Sequence, residues 1–427
     1  MIIKGRRRGL IGEITVPGDK SISHRGIIIG SLAKGSTIIN NMLMSEDVKK
    51  TVRCFKDMGV YIREMGNQIH IRGAGLHGLD KPHDVLDCGN SGTTMRLLSG
   101  ILIGQKFSST LTGDSSLNNR PMDRIIIPLR HMGGKINGVN DRCPPLRIKP
   151  STYGINAISY ELPVASAQVK SCILLAALYG KGITSVIENK VTRDHTERML
   201  KYFGADIYHR DNSICIRPRG ELIARDMYIP GDISSASYFM VAGLLVEGSH
   251  IMIKNVGINP TRTGIIHVLR NMGANIHIIN KKTINSEPMG DIEVKYSHLR
   301  GVKIGDAMMG TLIDEIPIIA VAAALANGKT IIKGAGELKY KESDRIKSIS
   351  TELKKMGADI EELSDGMVIN GRNILKPATL ESRGDHRIAM ALSIAALKAE
   401  GQSKIEDYKC IDISYPGFYK SLDELSV

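Results

Sequence analysis

The segment Gly264-Ile265-Ile266-His267-Val268-Leu269-Arg270-Asn271-Met272-Gly273-Ala274-Asn275-Ile276 decides the fold. Its apolar residues are spaced for one helix face. Its glycine suits the left-handed position that closes a helix, and the apolar residue beyond opens a strand. The closing phrase recurs as Met58-Gly59-Val60-Tyr61-Ile62, Met132-Gly133-Gly134-Lys135-Ile136, Phe203-Gly204-Ala205-Asp206-Ile207 and Met356-Gly357-Ala358-Asp359-Ile360. A second phrase has a polar start, a largely apolar helix and a glycine stop. It runs from Lys20 to Gly35, Asn90 to Gly104, Ser166 to Gly182, Asp232 to Gly248, Asp314 to Gly328 and Asp385 to Gly401. The stops recur at about 70 residues, a period suited to a repeat of several elements. Helices such as Ile316 to Ala326 are apolar nearly all round and belong inside a domain.

These patterns predict an α/β fold of two similar domains, each built from three similar units. Every unit sets one buried and one exposed helix beside short strands such as Gln68 to Ile71. The sixth unit is completed by both chain ends. One domain is therefore discontinuous, residues 1–18 plus 229–427, and the other spans 19–228. The chain crosses at Pro17-Gly18 and Pro230-Gly231, which have the chemistry of turns or hinges.

Composition agrees with this and narrows the function. A chain of 427 residues exceeds the usual single core. No run reaches the roughly 20 apolar residues of a membrane span. The segment Met1 to Leu10 is too basic for a secretory signal, so a cytoplasmic chain without a membrane partner is expected. The cysteines Cys54, Cys88, Cys143, Cys172, Cys215 and Cys410 form no C-x-x-C pair, which argues against a disulfide framework and a zinc site. A net charge of +13 fits nucleic acid, a membrane surface or small polyanions. The dense basic run Lys4 to Arg8 carries no interleaved aromatics, so single-strand binding is disfavoured. Gly73-Ala74-Gly75-Leu76-His77-Gly78 matches a dinucleotide fingerprint, but Leu79-Asp80-Lys81-Pro82 blocks the helix such a site needs. The histidines show no metal-ligand spacing, and His195 and His386 are read as structural.

The chemistry gathers at the starts of the buried helices, where free N–H groups make natural anion seats. Lys20-Ser21-Ile22-Ser23-His24-Arg25, Asn90-Ser91-Gly92-Thr93-Thr94-Met95-Arg96 and Ser166-Ala167-Gln168 with Lys170 are three such starts. Asn119-Arg120-Pro121-Met122-Asp123-Arg124 adds cations at another helix start, with the proline suited to the first turn. The second half supplies Asp314-Glu315, Lys341-Glu342-Ser343-Asp344-Arg345 and Asp385-His386-Arg387. Each alone reads as a cap or a salt-bridged surface helix. Together, cations and a few carboxylates at equivalent points of a repeat suit holding polyanions while a proton moves.

Taken in order, Pro17-Gly18-Asp19-Lys20-Ser21-Ile22-Ser23-His24-Arg25, Gly89-Asn90-Ser91-Gly92-Thr93-Thr94, Arg120-Pro121-Met122, Lys341-Glu342-Ser343-Asp344-Arg345 and Gly384-Asp385-His386-Arg387 resemble the enolpyruvyl transferase family. The likeness runs from Gly12 to Pro416 and is greatest to the members acting on shikimate 3-phosphate. It implies an inverse α/β barrel of three βαβαββ units per domain, closing over the substrates. It also implies a cofactor-free, metal-free transfer of the enolpyruvyl group of phosphoenolpyruvate to the 5-hydroxyl of shikimate 3-phosphate, releasing phosphate, in aromatic amino-acid biosynthesis. In that reaction the hydroxyl attacks C2 as C3 takes a proton, and phosphate leaves as that proton is lost again.

By the same resemblance, Lys20, Ser21, Arg25, Ser166, Gln168, Asp314 and Lys341 serve shikimate 3-phosphate, with Arg193 supplementing its phosphate clamp. Lys20, Gly92, Arg120, Gln168, Arg345 and Arg387 hold phosphoenolpyruvate. Lys20, Asp314 and Glu342 are the catalytic set, Asp314 accepting the hydroxyl proton and Glu342 protonating C3. Two positions depart from some members, with Ile413 where they carry lysine and Glu337 where they carry asparagine. Gly92 leaves room for the inhibitor glyphosate. A related transferase of UDP-linked amino sugars uses a loop cysteine, and Gly113 to Arg120 contains none. A polyanion-binding protein would instead need a basic stripe on an outer face. A monomer is the default expectation.

Overall fold

A computed structural model describes residues 1–5, 9–372 and 374–425. Arg6 to Arg8 of the basic run lie outside the described residues. The backbone forms two compact units, one of residues 18–229 with 284–287, the other of residues 1–17, 230–283 and 288–427. Residues 284–287, which the sequence groups with the discontinuous domain, fall with the first of these units.

The 18–229 unit contains α1 (Lys20–Leu32), α2 (Glu46–Asp57), α3 (Gly92–Leu102), α4 (Ser115–Asn118), α5 (Asp123–His131), α6 (Ala167–Ala177) and α7 (His195–Tyr202). Helices α1, α3 and α6 pack on one another at its centre. Ile27, Ile28 and Ile29 of α1 are wholly buried, each contributing about 1.5–3 kcal/mol. Helices α2, α5 and α7 alternate polar and apolar faces and cover this core. Three sheets share one plan, a strand parallel to one neighbour and antiparallel to the next. Ala33–Asn40 lies between Leu222–Ile223 and Gln68–Ala74, with Tyr61–Met65 outside. Ser109–Thr112 lies between Leu86–Asp87 and Cys143–Lys149, with Lys135–Val139 outside. Thr184–Ile187 lies between Ser159–Glu161 and Ser213–Arg217, with Asp206–Arg210 outside.

The other unit repeats the plan with α8 (Ile233–Leu245), α9 (Gly264–Asn271), α10 (Met309–Leu312), α11 (Ile316–Ala324), α12 (Arg345–Lys355), α13 (His386–Ala396) and α14 (Phe418–Glu424). Its central helices are α8, α11 and α13. His250–Gly257 runs parallel to Ile11–Thr15 and antiparallel to Glu287–Lys295. Lys329–Ile332 pairs likewise with Lys303–Ile304 and Gly366–Asn370. Gln402–Glu406 is parallel to Thr379–Glu381 and antiparallel to Ile2–Lys4, so residues from both chain ends share one sheet.

Gly59, Gly133, Gly204, Gly273 and Gly357 all have φ between +83° and +94°, the left-handed conformation the repeated phrase requires. The second phrase is less uniform. Gly35 sits inside the strand Ala33–Asn40, because α1 already ends at Leu32. Gly104 has no positive φ; a Cβ there would lie 2.2 Å from Cγ of Tyr179, so close approach to a ring is what demands glycine. Pro121 precedes the cap residue Met122 of α5 and is not in its first turn. Gly73 to Gly78 forms a strand end and a turn, with no helix opening there.

One stretch, Asp306–Ala324, is by length and composition apolar enough to cross a membrane, contrary to the expectation from the sequence. It is 72% buried within the protein and broken into short helical pieces, which marks it as core.

Candidate active site

In the 18–229 unit, the first turns of α1, α3 and α6 are tied together. Asp19 caps α1, its carboxylate accepting from the Ile22 N–H at 2.9 Å. That helix start presents Lys20, whose Nζ lies 2.5 Å from Asp47 of α2. Arg25, one turn on, is 4% exposed and bonded through each of its three side-chain nitrogens. Its Nε donates to Thr196 Oγ1 at 2.6 Å and its two terminal nitrogens to Ser21 O at 2.9 Å and Ser171 Oγ at 2.8 Å. Burial pushes the Arg25 pKa down to about 10 against the pull of Glu197 and Asp19, and Arg193 pushes the same way as burial. Two guanidinium groups near enough to repel one another mark a place for an anion.

Ser91 caps α3, and Gly92 is its first residue. A Cβ on Gly92 would stand 2.8 Å from one terminal nitrogen of Arg96 and 3.8 Å from one of Arg120. The bare backbone is thus flanked by two cations at a helix N-terminus, a strong anion seat. Arg120 donates to Asn90 Oδ1 at 2.6 Å, while its buried Nε has no partner among the described residues. Arg96 donates to Gln168 Oε1 at 2.6 Å, and Gln168 Nε2 donates to Thr93 Oγ1 at 2.9 Å, joining α3 to α6. Ser166 caps α6. Arg193 stands half-buried just before α7.

Behind this face Lys170 is wholly buried between Glu188, 2.9 Å away, and Glu197, 2.6 Å away. Burial raises the pKa of Glu197, with Lys170 opposing. His195 is buried as well, its Nδ1 2.7 Å from Glu287 Oε1.

In the other unit, one arginine organises the site. Arg345 heads α12 and is 1% exposed. Its Nε donates to Asp385 at 2.8 Å, one terminal nitrogen to Asp314 at 3.2 Å and the other to Glu342 at 2.6 Å. Burial opposes the charge on Arg345, but Asp385, Glu342 and Asp314 more than reverse this and raise its pKa. Burial likewise favours the neutral form of Asp385, and Arg345 overrides it, leaving that carboxyl below the ordinary range. Asp314 also faces Lys341 Nζ at 3.3 Å and Arg387 at 3.9 Å, and Arg387 donates to the Asp314 carbonyl at 3.3 Å. Glu342 is the open carboxylate, with 30% of its side chain exposed. Lys341-Glu342-Ser343-Asp344 is a loop ending in the Asp344 cap of α12 and not an exposed helix.

Within each unit, then, the residues singled out in the sequence come together: Lys20, Ser21, Arg25, Gly92, Arg120, Ser166, Gln168 and Arg193 in one, Asp314, Lys341, Glu342, Arg345 and Arg387 in the other. Sequence reasoning missed the partners that fix them. Asp47 and Thr196 lie on helices whose amphipathic pattern only announces packing. Asp385 and Arg96 sit inside quoted motifs, where a buried charge partner is a signal that can be looked for. Among the described residues no group of three or more His, Cys, Asp or Glu side chains is placed to hold a metal.

The family model for EPSP synthase (3-phosphoshikimate 1-carboxyvinyltransferase) matches residues 5–422. A Thermoanaerobacter protein named 3-phosphoshikimate 1-carboxyvinyltransferase is 51% identical over 98% of this chain and 99% of its own length. The solved EPSP synthase from Acinetobacter baumannii superposes with a TM-score of 0.90 at 43% identity, covering 99% of this chain and 97% of that one. The enolpyruvyl transferase NikO from Streptomyces tendae has a TM-score of 0.80 at 17% identity over 99% and 96% of the two chains, a likeness of fold alone.

Proposed function

Because the chain belongs to the EPSP synthase (3-phosphoshikimate 1-carboxyvinyltransferase) family, we propose that its two clusters divide the work of that reaction. The activity of the family is enolpyruvyl transfer from phosphoenolpyruvate to shikimate 3-phosphate in aromatic biosynthesis. Ser21, Arg25, Ser166, Gln168 and Arg193 hold shikimate 3-phosphate, Lys20 and Lys341 assisting. Lys20, Gly92, Arg120, Gln168, Arg345 and Arg387 hold phosphoenolpyruvate. Arginine suits this role because its planar fork binds phosphate and carboxylate bidentately.

Asp314 takes the 5-hydroxyl proton and Glu342 gives a proton to C3. The observation that carries this is the sharing of Arg345 between the two carboxylates, 3.2 Å from Asp314 and 2.6 Å from Glu342. While Arg345 is bonded to both, each is an acceptor held in place. A phosphoenolpyruvate anion that draws Arg345 and Arg387 to itself weakens those bonds and raises the proton affinity of both carboxylates when proton transfer is needed. The chemistry thereby waits for substrate. The setting proposed for the chain is cytoplasmic and monomeric, its six cysteines being free thiols.

Mixing the protein with both substrates and following inorganic phosphate tests the reading. Release should require both substrates together. Release from phosphoenolpyruvate alone, or none from the mixture, would overturn it.

A further inference from the structure

Helix α2 takes no part in the chemistry above, yet its side chains hold two of the segments assigned to phosphoenolpyruvate. Asp47 takes the Lys20 ammonium at 2.5 Å. One turn along α2, Thr51 Oγ1 lies 2.7 Å from His24 Nδ1. Lys20 and His24 are themselves one turn apart on α1, so the two helices are joined by two rungs on facing sides. From Thr51 the contacts continue to α3. Thr51 Oγ1 is 2.7 Å from Thr94 Oγ1, and Thr94 Oγ1 is 2.7 Å from Ser91 Oγ, the cap beside Gly92. Thr94 Oγ1 also has the Asp47 carbonyl at 3.5 Å, a much longer alternative. His24, Thr51 and Thr94 are 0% exposed and Ser91 1%, so bulk water does not compete for these bonds.

Chemistry gives the chain a direction. Burial pushes the His24 pKa down to about 3, with Lys20 and Arg25 adding to the effect and Asp47 and Asp19 opposing it, so the imidazole is neutral at working pH. Its buried Nε2 has no partner among the described residues. An unpaired lone pair is tolerated more often than an unpaired buried N–H, which places the hydrogen on Nδ1. Nδ1–H then donates to Thr51, the Thr51 hydroxyl to Thr94, and the Thr94 hydroxyl to Ser91. Ser91 Oγ also accepts from the Thr94 N–H at 3.1 Å, so its own hydrogen is not spent within the chain. The sequence of donors ends at the α3 N-terminus, where an anion would sit.

We infer that His24, Thr51, Thr94 and Ser91 form a positioning chain for phosphoenolpyruvate, fixing Lys20 of α1 and the backbone at Gly92 of α3 in one register so that both reach the same substrate. The inference rests on the assignment of Lys20 and Gly92 to phosphoenolpyruvate made above.

The test is steady-state phosphate release by the full chain carrying Thr51→Val, which keeps the shape and removes the hydroxyl, against Thr51→Ser, which restores it. Thr51→Val removes the bonds to both His24 and Thr94 and should raise the KM for phosphoenolpyruvate about 5- to 100-fold, the effect of two lost hydrogen bonds, while leaving that for shikimate 3-phosphate within about twofold. Thr51→Ser should bring the first value back to within about twofold of the parent. Equal shifts in both constants, a lowered melting temperature with unchanged kinetics, or no recovery in the serine variant would overturn the inference. If Thr51→Val does not fold, Thr94→Val against Thr94→Ser makes the same comparison. Lys20→Met separates the premise: if it leaves phosphoenolpyruvate kinetics unchanged, the site assignment falls. If it impairs them while Thr51→Val does not, the positioning chain alone falls.

Discussion

Replacing Arg345 by methionine removes the one cation that three carboxylates share. The side chain is 1% exposed, and its partners Asp385, Glu342 and Asp314 lie at 2.8, 2.6 and 3.2 Å. Glu342 can turn to solvent and Asp314 keeps Lys341 and Arg387. Asp385, at 0% exposed, keeps Ser343 Oγ at 3.0 Å, the Arg387 N–H at 2.9 Å and the pull of the neighbouring His386. Removing one partner of a buried ion pair costs about 3–5 kcal/mol, because the other charge is left uncompensated. For a unit of roughly two hundred residues this lowers Tm by about 6–20 °C. Differential scanning calorimetry at pH 7 reads the shift directly. The pH dependence supplies a second, sharper readout. In the parent protein the Asp385 pKa is depressed, so its stabilisation is present above the ordinary carboxylate pKa of about 3.9 and is lost only as pH falls through the lower folded value. The raised Arg345 pKa adds nothing to this window, since its contribution is complete at any pH below the ordinary arginine range. In the variant, Asp385 is buried without its cation and its pKa should rise. Protons then bind the folded state more tightly, and Tm should climb as pH falls from 7 to 5, the opposite of an acid-labile protein. A Tm loss under about 2 °C at pH 7, with no rise on acidification, would show that Arg345 does not neutralise the buried carboxylate.

Glu342→Gln keeps the shape of the proposed acid and should leave phosphoenolpyruvate binding nearly intact while slowing turnover by about two to four orders of magnitude; near-normal turnover would remove Glu342 from the mechanism. Gly92→Ala puts a methyl group 2.8 Å from a terminal nitrogen of Arg96, the far end of a flexible side chain, which must shift and so loosens its 2.6 Å bond to Gln168. A loss of up to about 1.5 kcal/mol raises the KM for phosphoenolpyruvate by up to about tenfold, read by the same phosphate assay. Glyphosate should inhibit the parent with a constant no greater than that KM and should lose more affinity than the substrate does in Gly92→Ala; an inhibition constant far above the KM in the parent would contradict the room assigned to Gly92.

The fold was legible because its repeat is written in residues that backbone geometry demands. A left-handed residue after a helix is costly for anything but glycine, so Gly59, Gly133, Gly204, Gly273 and Gly357 mark five helix ends without ambiguity. The wholly apolar helix α11 can be satisfied only inside a core, and every residue in it is buried, as is every residue of α8 despite its three serines. Where the pattern misled, a different constraint produced the same residue. Gly104 is there for a tyrosine ring, and Asp306–Ala324 is apolar because it is core. Hydropathy does not distinguish these cases, since it records how much water a segment avoids and not what replaces the water.

The site was legible in a different and more limited way. Arginine and lysine at the first turns of buried helices are conspicuous because both features favour anions, so Lys20 and Arg387 declared themselves, and Arg120 stood out as a cation just ahead of α5. What holds such groups in place is quieter. Asp47 and Thr51 occur in Ser45-Glu46-Asp47-Val48-Lys49-Lys50-Thr51, which reads as a capped, charged surface helix; indeed Glu46 and Lys49 pair with each other in solvent at 2.8 Å. Only the neighbours across the interface turn Asp47 and Thr51 inward, and no spacing along one chain encodes a contact between helices. A threonine is especially silent, because its hydroxyl is equally at home in a cap, on a surface or in a buried chain. The groups meant to touch substrate must carry strong chemistry and are found by residue type. Those that aim them are short side chains turned inward, the carboxylate of Asp47 on Lys20 and the neutral hydroxyl of Thr51, which adds no further charge beside Lys20 and Arg25. Their concealment in the sequence follows from the task they perform.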